Sequence, residues 1–401
     1  MKYSDYNFEM NDVIFQGNTI DDCLFIDWCI LYECNYKCSY CFGQDTLSNA
    51  QFTPLDKLKY AVDNIFKIHK SRYAFTLTGG EVTYYPYLLD LVNYILGYNK
   101  NTSIYIITNG SRSIEYFEDL FSKYVNSKIT LTISIHLEYA KYEHIQNIIK
   151  LANRYNKRIR LSLMLHPYMY KEVKEFYYNL IDLRKSYVFD INLAELRGGN
   201  SFDMVDNRYT EEYLSWCDIE SFNCNNIENK SDDILPINWG PKPYYKIINN
   251  EKNIRIDHYK AMRENKKKFT GFYCCGGINA ISILSNGDYK AGNCGDFPII
   301  GNIFNTGIDY EKLFNFTVCT KYECGCRAND CIPKFRNLED AIDYTNKTKI
   351  RYILNIFTKD INEVIKINEN INNHIDVLIN IISWWIPFKK WRESFRNKFK
   401  K

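Results

Sequence analysis

The stretch "ECNYKCSYCFG", residues 33–43, places three cysteines at positions 34, 38 and 41. Zinc sites and most protein-held iron–sulfur clusters use four protein ligands, so three thiols leave one metal position for another molecule. The same spacing would also place three buried cysteines on one face of a helix. A strand-like run precedes the first cysteine and Asn35 suits a turn, so the residues favour a loop directly after a strand.

Length and composition set the broad class of the protein. The chain has 401 residues, of which 46% are hydrophobic and 25% charged, which is enough for a full core and about two to three domains. The N-terminus lacks the basic start and apolar stretch of a signal peptide, and no apolar window is long enough to span a membrane. We therefore expect a cytoplasmic protein, in which 14 cysteines indicate metal or redox chemistry rather than disulfides.

Strand-like and helix-like segments alternate over the first two hundred residues. The predicted strands are 23–31, 73–80, 102–110, 129–138, 157–166 and 188–196. Helical crossovers between six strands predict an α/β fold with a parallel sheet, as an open or closed barrel. Active groups in such barrels collect at the carboxyl ends of the strands. Cys34, the segment 79–81, Asn109 and His136 lie at the ends of the first four strands.

Several motifs in this region resemble those of the radical S-adenosylmethionine (radical SAM) enzymes. "CNYKCSYC" matches the family's C-x3-C-x-aromatic-C signature, with Tyr40 in the aromatic position. "TLTGGEVTYYP" (76–86) resembles the glycine-glycine-glutamate motif, and "ITNG" (107–110) and "SIHLEY" (134–139) resemble the ends of the third and fourth strands. The resemblance covers about residues 20–200 and implies a partial (β/α)6 radical SAM barrel.

The resemblance also implies cofactors and the residues that bind them. Cys34, Cys38 and Cys41 would hold three irons of a [4Fe-4S] cluster, and S-adenosylmethionine would chelate the fourth. One electron would then split S-adenosylmethionine into methionine and a 5′-deoxyadenosyl radical, which abstracts a hydrogen atom from an unactivated carbon. The implied cofactor-binding residues are Tyr40, Gly79, Gly80, Glu81, Asn109, Ser134 and His136.

The glycine-glycine-glutamate motif and the residues at the end of the fourth strand each have an implied role and a simpler structural alternative. Gly79 and Gly80 would let the backbone approach the methionine moiety, and Glu81 would accept a hydrogen bond from its ammonium. The glycines alone are equally compatible with a simple strand-to-helix turn. Ser134 or His136 would contact the ribose, although a histidine at a strand end is as often a hydrogen-bonded core residue.

A second group of cysteines follows in residues 271–335. The group comprises Cys274, Cys275, Cys294, Cys319, Cys324, Cys326 and Cys331. Residues 274–304 predict a β-hairpin about the turn Asn286–Asp288. The region resembles the SPASM or twitch extension, a small cysteine-rich β-hairpin/helix domain, which implies one or two auxiliary [4Fe-4S] clusters. The gap from Gly287 to Cys294 is longer than the family's, and a zinc site remains the alternative.

Two charged residues after the sixth strand are candidate catalytic groups. Glu195 and Arg197, in "AELRGG", would face the barrel mouth as acid/base or hydrogen-handling partners of the substrate. A structural salt bridge is the alternative role for each of them.

The C-terminal tail carries a charge that differs from the rest of the chain. Residues 389–401 hold seven basic residues and one acid, a net +6, which leaves −3 for the remainder and gives no indication of nucleic-acid binding. Aromatic residues recur through 384–401 at spacings of four, three, four and four, with basic residues between them. This pattern predicts an amphipathic helix at a membrane surface, with an ordinary packed terminal helix as the alternative.

These features together predict six segments and one leading function. The segments are an N-terminal extension (1–19), the barrel (20–215), a connector (216–270), the auxiliary cluster domain (271–335), a helical segment (336–382) and the basic tail (383–401). We expect a cytoplasmic radical SAM enzyme, peripheral at the inner face of the membrane, that acts on a peptide or sugar substrate and accepts electrons from flavodoxin or ferredoxin. The alternative is a non-catalytic zinc-binding scaffold at the membrane surface.

Overall fold

A computed structural model gives the architecture of the chain. It describes residues 8–18, 23–41, 52–98, 101–124, 129–157, 159–198, 204–226, 243–247, 253–255, 258–325, 332–367, 383 and 389–399. The chain divides into two compact units, Met1–Asn346 and Lys347–Lys401.

The strands and helices are numbered in chain order. The strands are β1 (Val13–Asn18), β2 (Cys23–Leu31), β3 (Arg72–Gly79), β4 (Thr102–Thr108), β5 (Ile129–Ile135), β6 (Ile159–Leu165), β7 (Asp190–Glu195), β8 (Arg197–Gly198), β9 (Met204–Val205), β10 (Pro243–Ile247), β11 (Asn253–Arg255), β12 (Tyr273–Cys274), β13 (Ala280–Ile283), β14 (Asp288–Lys290), β15 (Gly301–Asn302), β16 (Thr317–Val318) and β17 (Lys334–Phe335). The helices are α1 (Leu55–Phe66), α2 (Leu88–Tyr98), α3 (Ile114–Lys123), α4 (Tyr142–Arg154), α5 (Tyr170–Leu183), α6 (Glu211–Asn226), α7 (His258–Arg263), α8 (Tyr310–Leu313), α9 (Leu338–Ile367) and α10 (Lys389–Phe399).

A nine-stranded sheet in the order β15-β14-β13-β2-β3-β4-β5-β6-β7 forms the centre of the first unit. Strands β2 to β7 are parallel to one another, which confirms the predicted α/β fold and its six strands. The helices cover one face of this sheet. Phe75 of β3 packs against Phe66 of α1, and Ile133 of β5 lies beside Ile145 of α4 at Gly110.

The predicted hairpin is present but it also extends the barrel sheet. β13 and β14 pair antiparallel, as expected for residues flanking the turn Asn286–Asp288. On its other side β13 pairs parallel to β2, with Ala280 opposite Phe25. All four residues of β13 are buried, and both of its edges are paired, with β14 and with β2. The cysteine-rich segment and the barrel therefore share one sheet.

The N-terminal extension and the connector also pair with each other. β1 and β11 flank β10 in a three-stranded antiparallel sheet. A cluster around Phe8, Val13 and Tyr245 packs against Phe269 and Cys319. The connector thus packs against Cys319, one of the auxiliary cysteines.

Helices α9 and α10 account for the described part of the C-terminal region. α9 overlaps the predicted helical segment 336–382, and α10 lies within the tail 384–401, whose amphipathic character at a membrane stays a prediction. Trp384 and Phe388 of the aromatic stripe lie outside the described residues. Among the residues described, none of the helices combines the length and apolar character needed to span a membrane.

Candidate functional site

The cysteine loop, residues 34–41, follows β2 at the carboxyl edge of the sheet. A turn from the Cys41 amide to the Cys38 carbonyl, 3.1 Å, and a contact from the Tyr36 amide to the Cys34 sulfur, 3.3 Å, shape the loop. Burial raises the pKa of the Cys38 thiol to about 12, with further contributions from Glu138 and from the other two cysteines. The three thiols are therefore close enough to repel one another as thiolates.

The segment that leaves β5 holds the cysteine loop in place. The Tyr139 hydroxyl accepts the Lys37 amide at 3.2 Å and donates to the Lys37 carbonyl at 2.9 Å. The Glu138 carboxylate accepts the Ser39 amide at 2.9 Å. The Tyr139 ring also stacks on Tyr36, with ring centroids 4.5 Å apart. Because these contacts bind backbone groups, they fix the path of the loop itself.

Two histidines at strand ends contact the middle of the loop. Tyr40 lies over His136, and its hydroxyl is 2.8 Å from His136 Nδ1. Burial lowers the pKa of His136 to about 4, so the ring is neutral at pH 7. His166, at the end of β6, lies 3.2 Å from the Ser39 hydroxyl and 3.7 Å from the Glu138 carboxylate.

The glycine-glycine pair packs against the backbone that enters the cysteine loop. Gly79 has φ +149°, and a Cβ at this position would lie 2.0 Å from the Leu31 carbonyl oxygen. A Cβ on Gly80 would lie 2.0 Å from the Glu33 carbonyl oxygen. The close backbone approach that the glycines permit is therefore made here by residues 31–33 of the chain itself. A contact with the methionine moiety stays a prediction.

Glu81 is fully buried and accepts hydrogen bonds from four protein donors. The hydroxyls of Thr83 and Thr108 each donate to Oε1 at 2.6 Å, and the Thr83 amide donates to the same oxygen at 3.1 Å. The Asn109 amide donates to Oε2 at 2.5 Å. Burial raises the pKa of the carboxyl, and these hydrogen bonds oppose the rise. Glu81 thus ties the end of β3 to the end of β4, while its predicted contact with an ammonium stays untested.

Asn109 connects this buried carboxylate to the cysteine loop. Its side-chain amide donates to Asn35 Oδ1 at 2.9 Å and lies 3.7 Å from the Cys34 sulfur. The ends of β2, β3 and β4 are therefore joined through Cys34, Glu81 and Asn109. Ser134 lies on β5, half-exposed and in register with Ser162 of β6, below His136.

The two candidate catalytic residues have partners in and beside α7. Glu195 is buried and forms an ion pair with Arg263, which also pairs with Asp218. Arg197 contacts the side chains of Met262 and His258 and donates to the Gly325 carbonyl at 2.6 Å. The structural salt bridge that we left open for Glu195 is present, and a catalytic role for either residue stays a prediction.

The auxiliary cysteines gather around Cys324. The thiol pKa of Cys274 is raised by burial and by charge repulsion from Cys324 and Cys319. Burial raises the pKa of Cys319 to about 11, with repulsion from Cys324 and Cys294 adding to it. Cys275 is buried, and burial raises the pKa of its thiol to about 12. Cys326 and Cys331 lie outside the described residues.

The thiols of the cysteine loop have the chemistry of iron–sulfur ligands. A [4Fe-4S] cube takes each thiolate on a different iron. Free thiols with raised pKa, as at Cys34 and Cys38, lose their protons when a metal centre binds them. The donor set at the cysteine loop therefore fits a three-cysteine cluster.

Residues 28–185 match the sequence model of the Radical SAM superfamily. The chain contains a radical SAM domain. The cysteine loop, the Gly79–Glu81 turn, Asn109 and His136 all lie within its matched range, and the family implies a [4Fe-4S] cluster and S-adenosylmethionine as its cofactors. The SPASM-like segment lies outside that range and stays a prediction.

Further comparisons find individual proteins to which the chain is similar. A curated S-adenosylmethionine-dependent nucleotide dehydratase from Selenomonas ruminantium is 28% identical over 149 residues, 33% of this chain and 53% of that protein. The chain thus spans about half the length of this relative. Native anSMEcpe with bound AdoMet matches 86% of this chain and 100% of its own, with 14% identity and a TM-score of 0.46. BtrN in complex with AdoMet and 2-DOIA matches 73% of this chain and 82% of its own, with 13% identity and a TM-score of 0.36.

Sequence reasoning placed the residues of the radical SAM domain but missed some of their supports. Glu138, Tyr139 and His166 contact the cysteine loop, and none of them was singled out. The available signal was their position, because polar residues at the carboxyl ends of parallel strands converge on one edge of the sheet.

Proposed function

We propose that this radical SAM enzyme cleaves S-adenosylmethionine reductively and abstracts a hydrogen atom from its substrate. The observation that carries the proposal is the cysteine loop, whose three thiols are held at the carboxyl edge of the sheet beside the Gly79–Glu81 turn. Loops at this edge are where barrels of this type bring reactive groups together.

The protein's own residues would fix positions and exclude water. When bound, the cluster and S-adenosylmethionine supply the electron and the 5′-deoxyadenosyl radical. Tyr139 and Glu138 hold the loop backbone, so the three thiols keep a fixed spacing. Neutral His136 would support Tyr40 without adding a positive charge beside the cysteine loop. We further propose flavodoxin or ferredoxin as the electron donor.

Anaerobic reconstitution with iron and sulfide tests this function. With dithionite and S-adenosylmethionine added, the protein should release 5′-deoxyadenosine, and the variants Cys34→Ala, Cys38→Ala and Cys41→Ala should each abolish that release. Cys217→Ala is the matched control, since Cys217 is a buried thiol that we place in neither group. Release retained by all three loop variants, or zinc bound in place of iron, would sink the proposal and favour the zinc-binding scaffold.

The auxiliary cysteines support a second part of the proposal. Charge repulsion among four auxiliary cysteines contributes to the raised thiol pKa of Cys274, Cys294 and Cys319, which indicates that the four thiols are close together. These three cysteines and Cys324 would provide the thiolates for one auxiliary [4Fe-4S] cluster. Such a cluster would carry electrons or bind substrate beside the barrel. Cys275, which follows Cys274 directly and is also buried, stays a predicted ligand of the auxiliary site.

The substrate that we propose is a peptide or a sugar-containing molecule. The curated relative is named for a nucleotide substrate, and a nucleotide contains a sugar. This supports the sugar alternative. The pairing of β13 with β2 brings the cysteine-rich segment beside the barrel, so both regions can contact one substrate.

A further inference from the structure

The barrel strands present one polar, half-exposed face. On β2 to β7 the side chains that pack under the helices are buried, whereas the alternate ones are half-exposed. We call this second set the lumen face, since it points away from the helices. Hydroxyl, amide and charged groups of the lumen face are Asp27, Thr76, Thr78, Tyr105, Thr130, Thr132, Ser134, Arg160, Ser162, Asp190 and Asn192. A molecule bound here would meet many hydrogen-bonding groups.

Asp27 stands at the junction between this face and the cysteine-rich segment. It lies on β2 opposite Thr76 of β3 on one side and Ser282 of β13 on the other. Its Oδ2 accepts a hydrogen bond from the Asn293 amide at 2.8 Å. Asn293 in turn lies 3.5 Å from the Ser282 hydroxyl and directly precedes Cys294. The carboxylate is thus oriented by a residue of the cysteine-rich segment.

Asp27 is half-exposed along the lumen yet enclosed by protein. Burial raises its pKa to about 6, so the carboxylate is poorly solvated even where it can be reached. It precedes the end of β2 by four residues, about 13 Å at 3.3 Å per residue, so it lies below the cysteine loop. A substrate bound on the lumen face below the cysteine loop would therefore meet this carboxylate.

The chemistry of Asp27 selects among possible substrates. A carboxylate flanked by Thr76 and Ser282 accepts hydrogen bonds from hydroxyl groups, and the two neighbours can both donate and accept. An apolar group placed beside Asp27 would further desolvate its carboxylate without supplying a hydrogen-bond donor. A phosphate would be repelled by the carboxylate. A sugar ring or another polyol meets these requirements.

We infer that Asp27, oriented by Asn293, binds a hydroxyl group of a sugar-containing substrate. This inference rests on the proposed radical function. It commits the substrate to the sugar alternative and makes a peptide substrate an outcome of the test.

The test follows hydrogen transfer into 5′-deoxyadenosine. The probe is a metabolite extract from source-organism cells grown on fully deuterated glucose, separated on a boronate resin into a cis-diol fraction and a flow-through that contains the peptides. Mass spectrometry of the 5′-deoxyadenosine should find deuterium from the cis-diol fraction. Asp27→Asn should reduce this transfer by about tenfold or more, as expected for losing a hydrogen bond to a charged group.

Controls separate this inference from the proposed function. Reconstituted Asp27→Asn should contain the wild-type amount of iron and show the wild-type circular-dichroism spectrum, which shows a folded and loaded protein, and Asp56→Asn on the outer helix α1 should change neither iron content nor deuterium transfer. Deuterium from the flow-through alone, transfer from neither fraction, or a transfer unchanged in Asp27→Asn would overturn the inference. Failure of the wild type to form 5′-deoxyadenosine would instead overturn the radical function.

Discussion

A single buried carboxylate, Glu81, joins two strand ends through hydrogen bonds that all come from the protein. We predict that Glu81→Gln lowers the free energy of unfolding by about 1–3 kcal/mol, because a side-chain amide cannot accept from both the threonine hydroxyls and the Asn109 amide. Urea denaturation of the reconstituted protein measures this free energy, and Glu143→Gln, at an exposed position, is the control. Unchanged stability with loss of S-adenosylmethionine binding would instead identify a direct ligand.

His136 should make the free energy of unfolding depend on pH. Its pKa is about 4 in the folded chain against 6.5 unfolded, so protons bind first to the unfolded state as the pH falls. The free energy of unfolding should therefore drop between pH 6.5 and 4, by up to about 3 kcal/mol from this group. His136→Gln should remove that part of the drop in denaturation curves measured at several pH values. Equal pH dependence in the variant would contradict the assignment.

At the scale of elements, the segment leaving β5 shapes the cysteine loop. We predict that Tyr139→Phe keeps the stack on Tyr36 but loses both hydrogen bonds to Lys37, so the reconstituted cluster loses iron several-fold faster to a chelator. Tyr60→Phe, an exposed change on α1, is the control. Iron loss at the wild-type rate in Tyr139→Phe would show that the thiols alone fix the loop.

The elements also show what a sequence can and cannot predict. Alternating apolar residues with helical crossovers predicted all six barrel strands, because each strand's burial pattern is local. The partner of β13 could not be predicted in the same way. "AISI" is a short apolar run that suits either hairpin or sheet interior, and its pairing with β2 joins residues far apart in the chain. The supports of Glu81 were hidden for the same reason, since Thr108 and Asn109 are distant in sequence.

On the scale of the whole molecule, the two cysteine groups lie in different segments that share one sheet. Each group can be tested by its own substitution and its own readout. We predict that Cys294→Ala lowers the iron content by about four atoms per chain, the content of one cube, while dithionite-driven 5′-deoxyadenosine release persists. Iron analysis and the release assay measure the two effects, with Cys217→Ala as control. An unchanged iron content in Cys294→Ala would remove this residue from the auxiliary site.

The C-terminal tail supplies the last test, because the second compact unit begins at Lys347 and the radical SAM domain lies wholly in the first. We predict that deleting 384–401 leaves 5′-deoxyadenosine release intact and abolishes sedimentation with phosphatidylglycerol vesicles. The deletion removes a net charge of +6 and an aromatic stripe, and each basic residue near an anionic surface contributes about 1 kcal/mol. Full-length protein should also detach as salt rises, since screening weakens that attraction. Equal sedimentation of the truncated chain would mean that α10 is an ordinary terminal helix.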